Sequence, residues 1–259
     1  MCEDAGAQVN IQDRDGWTAL TKASVAGQVE GVKVLLDRGA EVSMKDKWGW
    51  TALMKASEAG QVECVMVLLD RGAEVNMQNK VGWTALIKAS EAGKVECVKV
   101  LLDRGAEVNM QDKLRKTALM KASEAGQVEC VKVLLDRGAE VNMQDKLGKT
   151  ALMKASEAGK VECVKVLLDR GAEVNMQDKW GKTALMMAYD RGHIECVKML
   201  VDKGAQVNIQ DTDGWTALMM ASVAGQVECV KVLLDRGAEV NMQDKKWDGG
   251  AHGYGTLGR

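Results

Sequence analysis

Apolar residues recur at helical spacing in short blocks, and glycines and polar turns separate those blocks from one another. In block 62–69 the apolar residues fall at steps of three and four, which is one face of an α-helix. A shorter block, 52–59, follows Thr51, a residue type that caps helix N-termini. Gly60 and Gly72 come just after the two blocks, where a left-handed residue commonly ends a helix. The pattern predicts two short helices joined by a tight turn.

This two-helix unit repeats every 33 residues along the chain. Segments 112–144 and 145–177 are identical except at two positions, one of which places Arg115 opposite Gly148. A fixed period of this length predicts a solenoid in which each unit contacts only its neighbours. Full units begin at Asp13, Asp46, Asn79, Asp112, Asp145, Asp178 and Asp211.

The repeats divide the chain into a partial repeat at 1–12, one solenoid domain of seven repeats at 13–243, and a terminal segment at 244–259. That last segment is a partial repeat with a Gly-rich tail, which we expect to be flexible. Between the helix pairs, stretches such as 73–83 lack a helical period and contain turn-forming residues. We predict that each forms an extended finger, a β-hairpin. Stacking is expected to bury one apolar set per unit, in repeat two Leu53, Val65, Leu68 and Leu69.

Three motifs recur in register through residues 6–247: D-x-x-G-x-T-x-L, A-x-x-G and V-x-x-L-L-x-x-G-A-x-V-N. This pattern resembles the ankyrin repeat, although the family's T-P-L-H reads T-A-L-M here, for example at 150–153. The resemblance implies an all-α fold, an α-solenoid with short β-hairpin fingers. It further implies that the fingers and first helices line a concave side, and that the array binds proteins as most members of the family do.

Composition narrows the classes of function. The chain has 35 basic and 37 acidic residues, so its charge provides no general attraction to nucleic acid or to an anionic membrane. No apolar run reaches the length of a membrane span, and the N-terminus lacks a signal-peptide pattern. There is no Gly-rich phosphate loop and no nucleophile–base pair, so we expect neither an enzyme nor a cofactor.

Cysteine is frequent, but six of the seven occupy one repeated position. Successive repeats cannot stack closer than packed helices, about 8–10 Å, which is too far for a disulfide. With only two His and no C-x-x-C, a zinc site is not expected either. Reduced, buried Cys favours an intracellular, cytoplasmic location. The repeated residues are Cys64, Cys97, Cys130, Cys163, Cys196 and Cys229.

The repeats differ chiefly in their fingers, and six of the seven Trp lie there. Exposed Trp is enriched at binding hot spots, although a finger Trp can instead pack on the neighbouring finger and stiffen the row. For Trp48, Trp50 and Trp83 together we favour contact with a partner. Trp247 belongs to the incomplete eighth finger. The candidate aromatic contacts are Trp17, Trp48, Trp50, Trp83, Trp180 and Trp215.

The fingers of repeats four to six are basic and have no Glu close by in sequence. Their turn-start Asp side chains are expected to bond the local backbone instead. Arg115 replaces the Gly of the other six fingers, so we predict either a strained positive φ or a changed turn. The candidate basic contacts are Lys113, Arg115, Lys116, Lys146, Lys149, Lys179 and Lys182.

A second candidate column lies on the first helices. A Glu follows several of these Lys by three residues, so the column is expected to be a solvated, self-neutralised face or a contributor to binding. Aromatic tips at one end and basic tips at the other would accommodate a protein or an extended peptide with an acidic segment. The column comprises Lys22, Lys55, Lys88, Lys121 and Lys154, continued by Met187 and Met220.

Two other classes of function remain open. The near-identity of repeats three to five is typical of a structural spacer or elastic solenoid. Nucleic-acid or other polyanion binding would use the Lys and Trp of the fingers, although the even charge disfavours it. Apolar faces at uncapped ends could also drive self-association. The resemblance implies one candidate modification, asparaginyl hydroxylation at Asn76, Asn109, Asn142, Asn175 and Asn241, against a simpler role for these Asn in bridging the loops.

Overall fold

The computed structural model describes residues 8–245, which contain seven antiparallel helix pairs. The terminal segments 1–7 and 246–259 lie outside the described residues, and with them Trp247, His252 and most of the predicted tail. In chain order the helices are α1 (Ala19–Val25), α2 (Val29–Asp37), α3 (Ala52–Ala59), α4 (Val62–Asp70), α5 (Ala85–Glu91), α6 (Val95–Asp103), α7 (Ala118–Ala125), α8 (Val128–Asp136), α9 (Ala151–Glu157), α10 (Val161–Asp169), α11 (Ala184–Asp190), α12 (Ile194–Asp202), α13 (Ala217–Val223) and α14 (Val227–Asp235).

The predicted caps are present. The side chain of Thr51 accepts a hydrogen bond from the backbone N–H of Met54, which satisfies one of the unpaired donors in the first turn of α3. Gly60 ends α3 with φ of 84°, and Gly72 adopts the same φ just beyond α4. The other repeats begin their first helices in the same way, so local sequence determines where each helix starts and stops.

The core is a continuous stack of one apolar set per repeat. In repeat two, Leu53, Cys64, Val65 and Leu68 are fully buried between the helix pairs. Leu69 differs from expectation, because it is only half-buried at the edge of the stack. Each first helix packs against the first helix of the next repeat, and second helices pack in the same way behind them.

The repeated Cys are free thiols inside this stack, as the sequence predicts. Burial raises the pKa of Cys97, Cys130 and Cys163 to about 11. A thiol with so high a pKa is almost entirely protonated at neutral pH and is a poor nucleophile. These side chains therefore act as small apolar residues.

The fingers are present, but the predicted β-hairpins are wrong, since residues 8–245 contain no strand. Each finger is a tight turn with too few bonds to form a ladder. In repeat two the N–H of Gly49 donates to the carbonyl of Asp46, and the N–H of Asp46 donates to that of Trp50. One further bond, from the N–H of Lys47 to Asp15, joins the finger to its neighbour.

Candidate protein-binding face

The turn-start Asp organises each finger. Oδ1 of Asp46 accepts the backbone N–H of both Trp48 and Trp50 at 2.9 Å. Asn79 makes the equivalent bonds in repeat three through its amide oxygen. These bonds confirm that the turn-start residue is occupied by local backbone. They also place one side chain at the turn tip, at position 48, and one directly before the first helix, at position 50. We call the surface formed by finger turns and first helices the finger face.

The Trp residues before the first helices pack within the array. Trp50 and Trp83 meet edge to face, with ring centroids 5.8 Å apart and planes at 76°. Both rings are only partly exposed and lie against the core, and Trp215 does the same in repeat seven. Trp17 is also partly buried. This geometry is that of the stiffening alternative, since aromatic pairs of this kind stabilise the fold itself.

The first-helix Lys column lies over these rings. The Nζ of Lys55 is 3.9 Å from the Trp50 centroid, and that of Lys88 is 4.6 Å from the Trp83 centroid. Lys121 also reaches Trp83, at 5.3 Å. An ammonium group over a Trp face is favoured by the ring quadrupole, most strongly where water is excluded. The column is therefore interleaved with the aromatic row.

The same column is neutralised both within repeats and between them. Lys88 pairs with Glu58 of the preceding repeat at 3.1 Å and with Glu91 of its own helix at 2.5 Å. Lys121 reaches back to Glu91 at 2.9 Å, and Lys154 pairs with Asp145 at 3.0 Å. Self-neutralisation is confirmed, but the expectation of a solvated face is wrong for two members. Lys88 is 8% exposed and Lys154 is 6% exposed.

Three of the basic finger residues are also paired with an acidic residue, and for Lys116 and Lys149 this corrects the expectation that no Glu is near. Lys149 lies 2.6 Å from Glu157, and Lys182 lies 3.0 Å from Asp190. Lys116 makes the equivalent, longer contact to Glu124 at 3.5 Å. In each pair the acidic residue follows the Lys by eight positions and lies near the end of the same repeat's first helix. The fold places that part of the helix next to the finger.

Other finger cations remain at the surface. Within residues 8–245, Lys113, Lys146 and Lys179 are exposed and form no ion pair. Arg115 is exposed as well and has a φ of 60°, so the strained positive φ is the one of the two predicted alternatives that occurs. The basic half of the face is consequently weaker than its sequence suggests.

The structure reveals a row that sequence reasoning missed. The turn-tip side chains of repeats two to six are all large, apolar and exposed, with exposed fractions between 44% and 57%. Their carbonyls accept the N–H of the next finger, as in Trp48 to Lys80 and Leu147 to Lys179 at 3.0 Å, so the side chains follow one another finger by finger. The sequence contained one sign of this row, because an apolar residue occupies the turn tip in five consecutive repeats. We call Trp48, Val81, Leu114, Leu147 and Trp180 the tip row.

The repeated finger Asn residues bridge successive loops. Oδ1 of Asn76 accepts the N–H of Glu107 at 2.9 Å, and its Nδ2 donates to the carbonyl of Gly105 at 3.2 Å. Asn109, Asn142 and Asn175 accept the corresponding N–H groups. The simpler structural role therefore has a direct geometric basis, whereas Asn241 at the end of the described chain is exposed.

His193 and the acidic residues offer no metal centre among the described residues, where no group of three or more His, Cys, Asp or Glu is placed to hold an ion. His193 is the N-cap of α12, and its Nε2 lies 3.2 Å from the carbonyl of Glu157.

None of the helices in residues 8–245 has the length and apolar character needed to cross a membrane.

Comparison with known proteins identifies this class of fold. Ankyrin repeats (three copies) match residues 40–112, 104–178 and 152–244, and ankyrin repeats (many copies) match residues 4–53. The chain belongs to the ankyrin repeat family, whose members are generally protein–protein interaction modules and typically not enzymes.

Among solved structures, the crystal structure of the human ASB11 ankyrin repeat domain is similar to this chain, with a TM-score of 0.79 and 29% sequence identity. The match covers 86% of this chain and 99% of that domain. No curated protein sequence matches the chain.

Proposed function

We propose that this chain binds an extended segment of a partner protein on its finger face, with the tip row as the apolar contact. The observation that carries the proposal is the row of exposed apolar side chains at the turn tips of five consecutive repeats. Large exposed apolar side chains in a contiguous row are typical of interaction surfaces. Lys113, Lys146 and Lys179 lie beside the row and supply positive charge for carboxylates of the partner.

The roles of the candidate residues follow from their burial. Trp48 and Trp180 project into solvent, so they are the proposed aromatic anchors. Trp50 and Trp83 pack against each other and against Lys55 and Lys88, so we assign them a structural role in holding the fingers in place. Lys121 and Lys154 have the same supporting role, and Trp17 and Trp215 lie at the ends of the face.

A peptide selected from a random displayed library against the array tests the proposal. Replacing Trp48 and Trp180 by Ser should weaken binding of the selected peptide by at least about 2 kcal/mol, as expected for hot-spot residues. Val34 provides the matched control, because it is equally exposed but lies on the second helix α2. Loss of binding in Val34→Ser, or unchanged binding in the Trp variants, would contradict the proposed face.

The structure also contains features that favour a spacer role. Arg71 pairs with Asp37 at 2.6 Å, and equivalent pairs join the second helices of successive repeats along the array. Deleting one whole repeat, residues 112–144, separates the two functions. A spacer retains its activity with one unit fewer, whereas a binding face that spans the deleted unit loses its ligand.

A further inference from the structure

A cavity of about 570 Å³ lies on the finger face between repeats five and seven. Five carboxylates and three cations line it, which leaves an excess of two negative charges. Trp180, 48% exposed, forms part of its wall. The lining cations are already engaged, since Lys149 pairs with Glu157, Lys182 with Asp190, and Arg191 lies 3.8 Å from Glu157. The charged lining is Lys149, Glu157, Asp178, Lys182, Asp190, Arg191, Asp211 and Asp213.

One carboxylate in this cavity is incompletely satisfied. Asp178 is only 7% exposed, and its Oδ2 has no hydrogen-bond partner among the described residues. Its Oδ1 is occupied, because it accepts the backbone N–H groups of Trp180 and Lys182 at 2.9 Å. A buried charged oxygen without a partner is costly unless a cation reaches it.

Other repeats show what completes such a carboxylate. In repeat five, Lys154 of the first helix lies 3.0 Å from Oδ2 of Asp145, and in repeat one Lys22 lies 2.8 Å from Oδ2 of Asp13. In repeat six the residue at this helix position is Met187, which lines the cavity and carries no charge. The array thus supplies an ammonium group from within at repeats one and five and omits it at repeat six.

The turn-start carboxylates of repeats four and two, Asp112 and Asp46, differ from Asp178 in their surroundings. Oδ2 of Asp112 accepts the indole N–H of Trp83 at 3.2 Å, so it needs no amine. Oδ2 of Asp46 has no partner, but repeat two retains Lys55 in its first helix. Repeat seven also has Met at this helix position, Met220, so two repeats have lost the helix Lys. Of these two, repeat six has the buried carboxylate oxygen without a partner, and it lies in an open cavity.

We propose that this cavity receives a basic side chain, an arginine or lysine, from the bound partner segment. The guanidinium or ammonium group pairs with Asp178 in place of the missing Lys, and the flexible Met187 side chain moves to admit it. Asp211 and Asp213 supply the remaining negative charge, and Trp180 covers the cation with its ring. This inference rests on the proposed protein-binding function and adds a cationic residue to the ligand, at the end of the face opposite Trp48.

The probe is Nα-acetylarginine N-methylamide, and the matching citrulline compound, which has the same shape without the charge, is the reference. The expected result is a saturable shift of the Trp180 indole ¹⁵N–H resonance with the arginine compound and none with citrulline. An equal shift with both compounds, or no shift, would overturn the inference.

Two variants test the geometry. Met187→Lys supplies an internal amine as Lys154 does, and Asp178→Asn removes the charge while keeping the turn, as Asn79 does in repeat three. Each should weaken arginine binding by at least about tenfold, because a charged hydrogen bond is lost. Asp46→Asn is the matched control and should leave binding unchanged. If both cavity variants bind the arginine compound as tightly as the unmodified protein does, the assignment is wrong. If Met187→Lys does not fold, the affinity of Asp178→Asn alone is the test.

A library-selected peptide measured in parallel separates this inference from the proposed function. If that peptide binds the tip row while the arginine compound leaves Trp180 unmoved, the cavity assignment is wrong and the protein-binding function stands. If the arginine compound binds in a charge- and Asp178-dependent way while no peptide binds the face, the cation site stands and the broader function is wrong.

Discussion

Arg115 holds its backbone at φ of 60°, where the six corresponding glycines have φ between 74° and 87°. A left-handed conformation is strained for a residue with a side chain, at a cost on the order of 1 kcal/mol. The backbone there is also crowded: a Cβ added at Gly148 would lie 3.0 Å from the backbone nitrogen of Lys179 in the next finger. Glycine is therefore the residue that this turn favours, and Arg115 is accommodated against that preference.

Arg115→Gly should stabilise the array by a few tenths to about 1 kcal/mol, since relief of strain is partly offset by greater freedom of the unfolded chain. Urea unfolding followed by circular dichroism measures the change. Gly148→Arg is the reverse control and should destabilise by about 1 kcal/mol or more. Lower stability of Arg115→Gly would mean that the arginine side chain contributes more than the turn costs.

A buried serine, Ser123, is a second single residue that affects the stability of the array. Its hydroxyl is buried in α7 without a hydrogen-bond partner, as are those of Ser57, Ser90 and Ser156. Replacing a buried, unsatisfied hydroxyl by a methyl group removes a desolvation cost, so Ser123→Ala should stabilise the fold by about 1 kcal/mol. Ser222→Ala is the comparison, because Ser222 is exposed and donates to the carbonyl of Leu218 at 2.8 Å. A gain in stability at Ser222 equal to that at Ser123 would contradict this explanation.

At the scale of the elements, Trp48 and Trp50 illustrate how one finger supports two different roles. Trp50 packs against Trp83 and beneath Lys55, whereas Trp48 is 53% exposed. Trp50→Ala should therefore destabilise the array by about 2 kcal/mol. Trp48→Ala should change stability by less than about 0.5 kcal/mol, as for other surface substitutions. Denaturant midpoints of the two variants measure this difference, and similar losses in both would refute it.

Glu91, at the end of α5, pairs with Lys88 of the same helix and with Lys121 of α7, and these two ion pairs predict a pH dependence. Burial disfavours its charged form, but the hydrogen bonds from the two Lys outweigh burial and lower its pKa below the ordinary value of 4.5. A depressed pKa in the folded state adds stability above the unfolded pKa, and that stability is lost as the pH falls through the folded value.

Glu91→Gln should accordingly cost about 1 kcal/mol at neutral pH, discounted for partial exposure, and the difference should vanish in acid. Glu124→Gln is the control, since Glu124 is more exposed and its one ion pair within residues 8–245 is the longer contact to Lys116 at 3.5 Å. Unfolding measured across the acid range provides the test. A difference that persists at the lowest pH would show that the effect is not electrostatic.

The helix pairs were predictable because their signals are local. Thr51, Gly60 and Gly72 act on their own turns, and the apolar period of α4 is visible without knowledge of neighbours. The fingers were predicted in position but not in form, because strand pairing needs successive bonds between fingers and each junction provides too few.

The site was less predictable, because its contacts are made between elements. The pair Lys149–Glu157 depends on the helix end returning over its own finger, and Lys121–Glu91 joins two repeats. The unpartnered oxygen of Asp178 becomes meaningful only when the position of Lys154 over Asp145 is seen in space. Residue types suggested a candidate face, and burial distinguishes its exposed residues from those that pack within the array.

At the scale of the whole molecule, each helix pair packs on its neighbours in the chain, and the described C-terminal repeat differs from the middle ones. Val223, Val227 and Val240 are 76%, 62% and 68% exposed, and Leu234 is 42% exposed. A cavity of about 750 Å³ opens beside Leu218 on the same side. In a stack where each repeat is stabilised by its neighbours, the unit with the least buried apolar surface opens first.

Hydrogen exchange should therefore be fastest in α13 and α14 among the helices of residues 8–245, with opening free energies at least about 1 kcal/mol below those of α7 and α8. If the exposed apolar surface instead mediates self-association, protection of α13 and α14 should rise with protein concentration, and sedimentation should show a larger species. Val223→Glu, which introduces the residue that Glu157 supplies in repeat five, should abolish that concentration dependence. Uniform protection of all seven helix pairs in a dilute monomer would contradict both outcomes, because it would require the last described repeat to be as well supported as a repeat with neighbours on both sides.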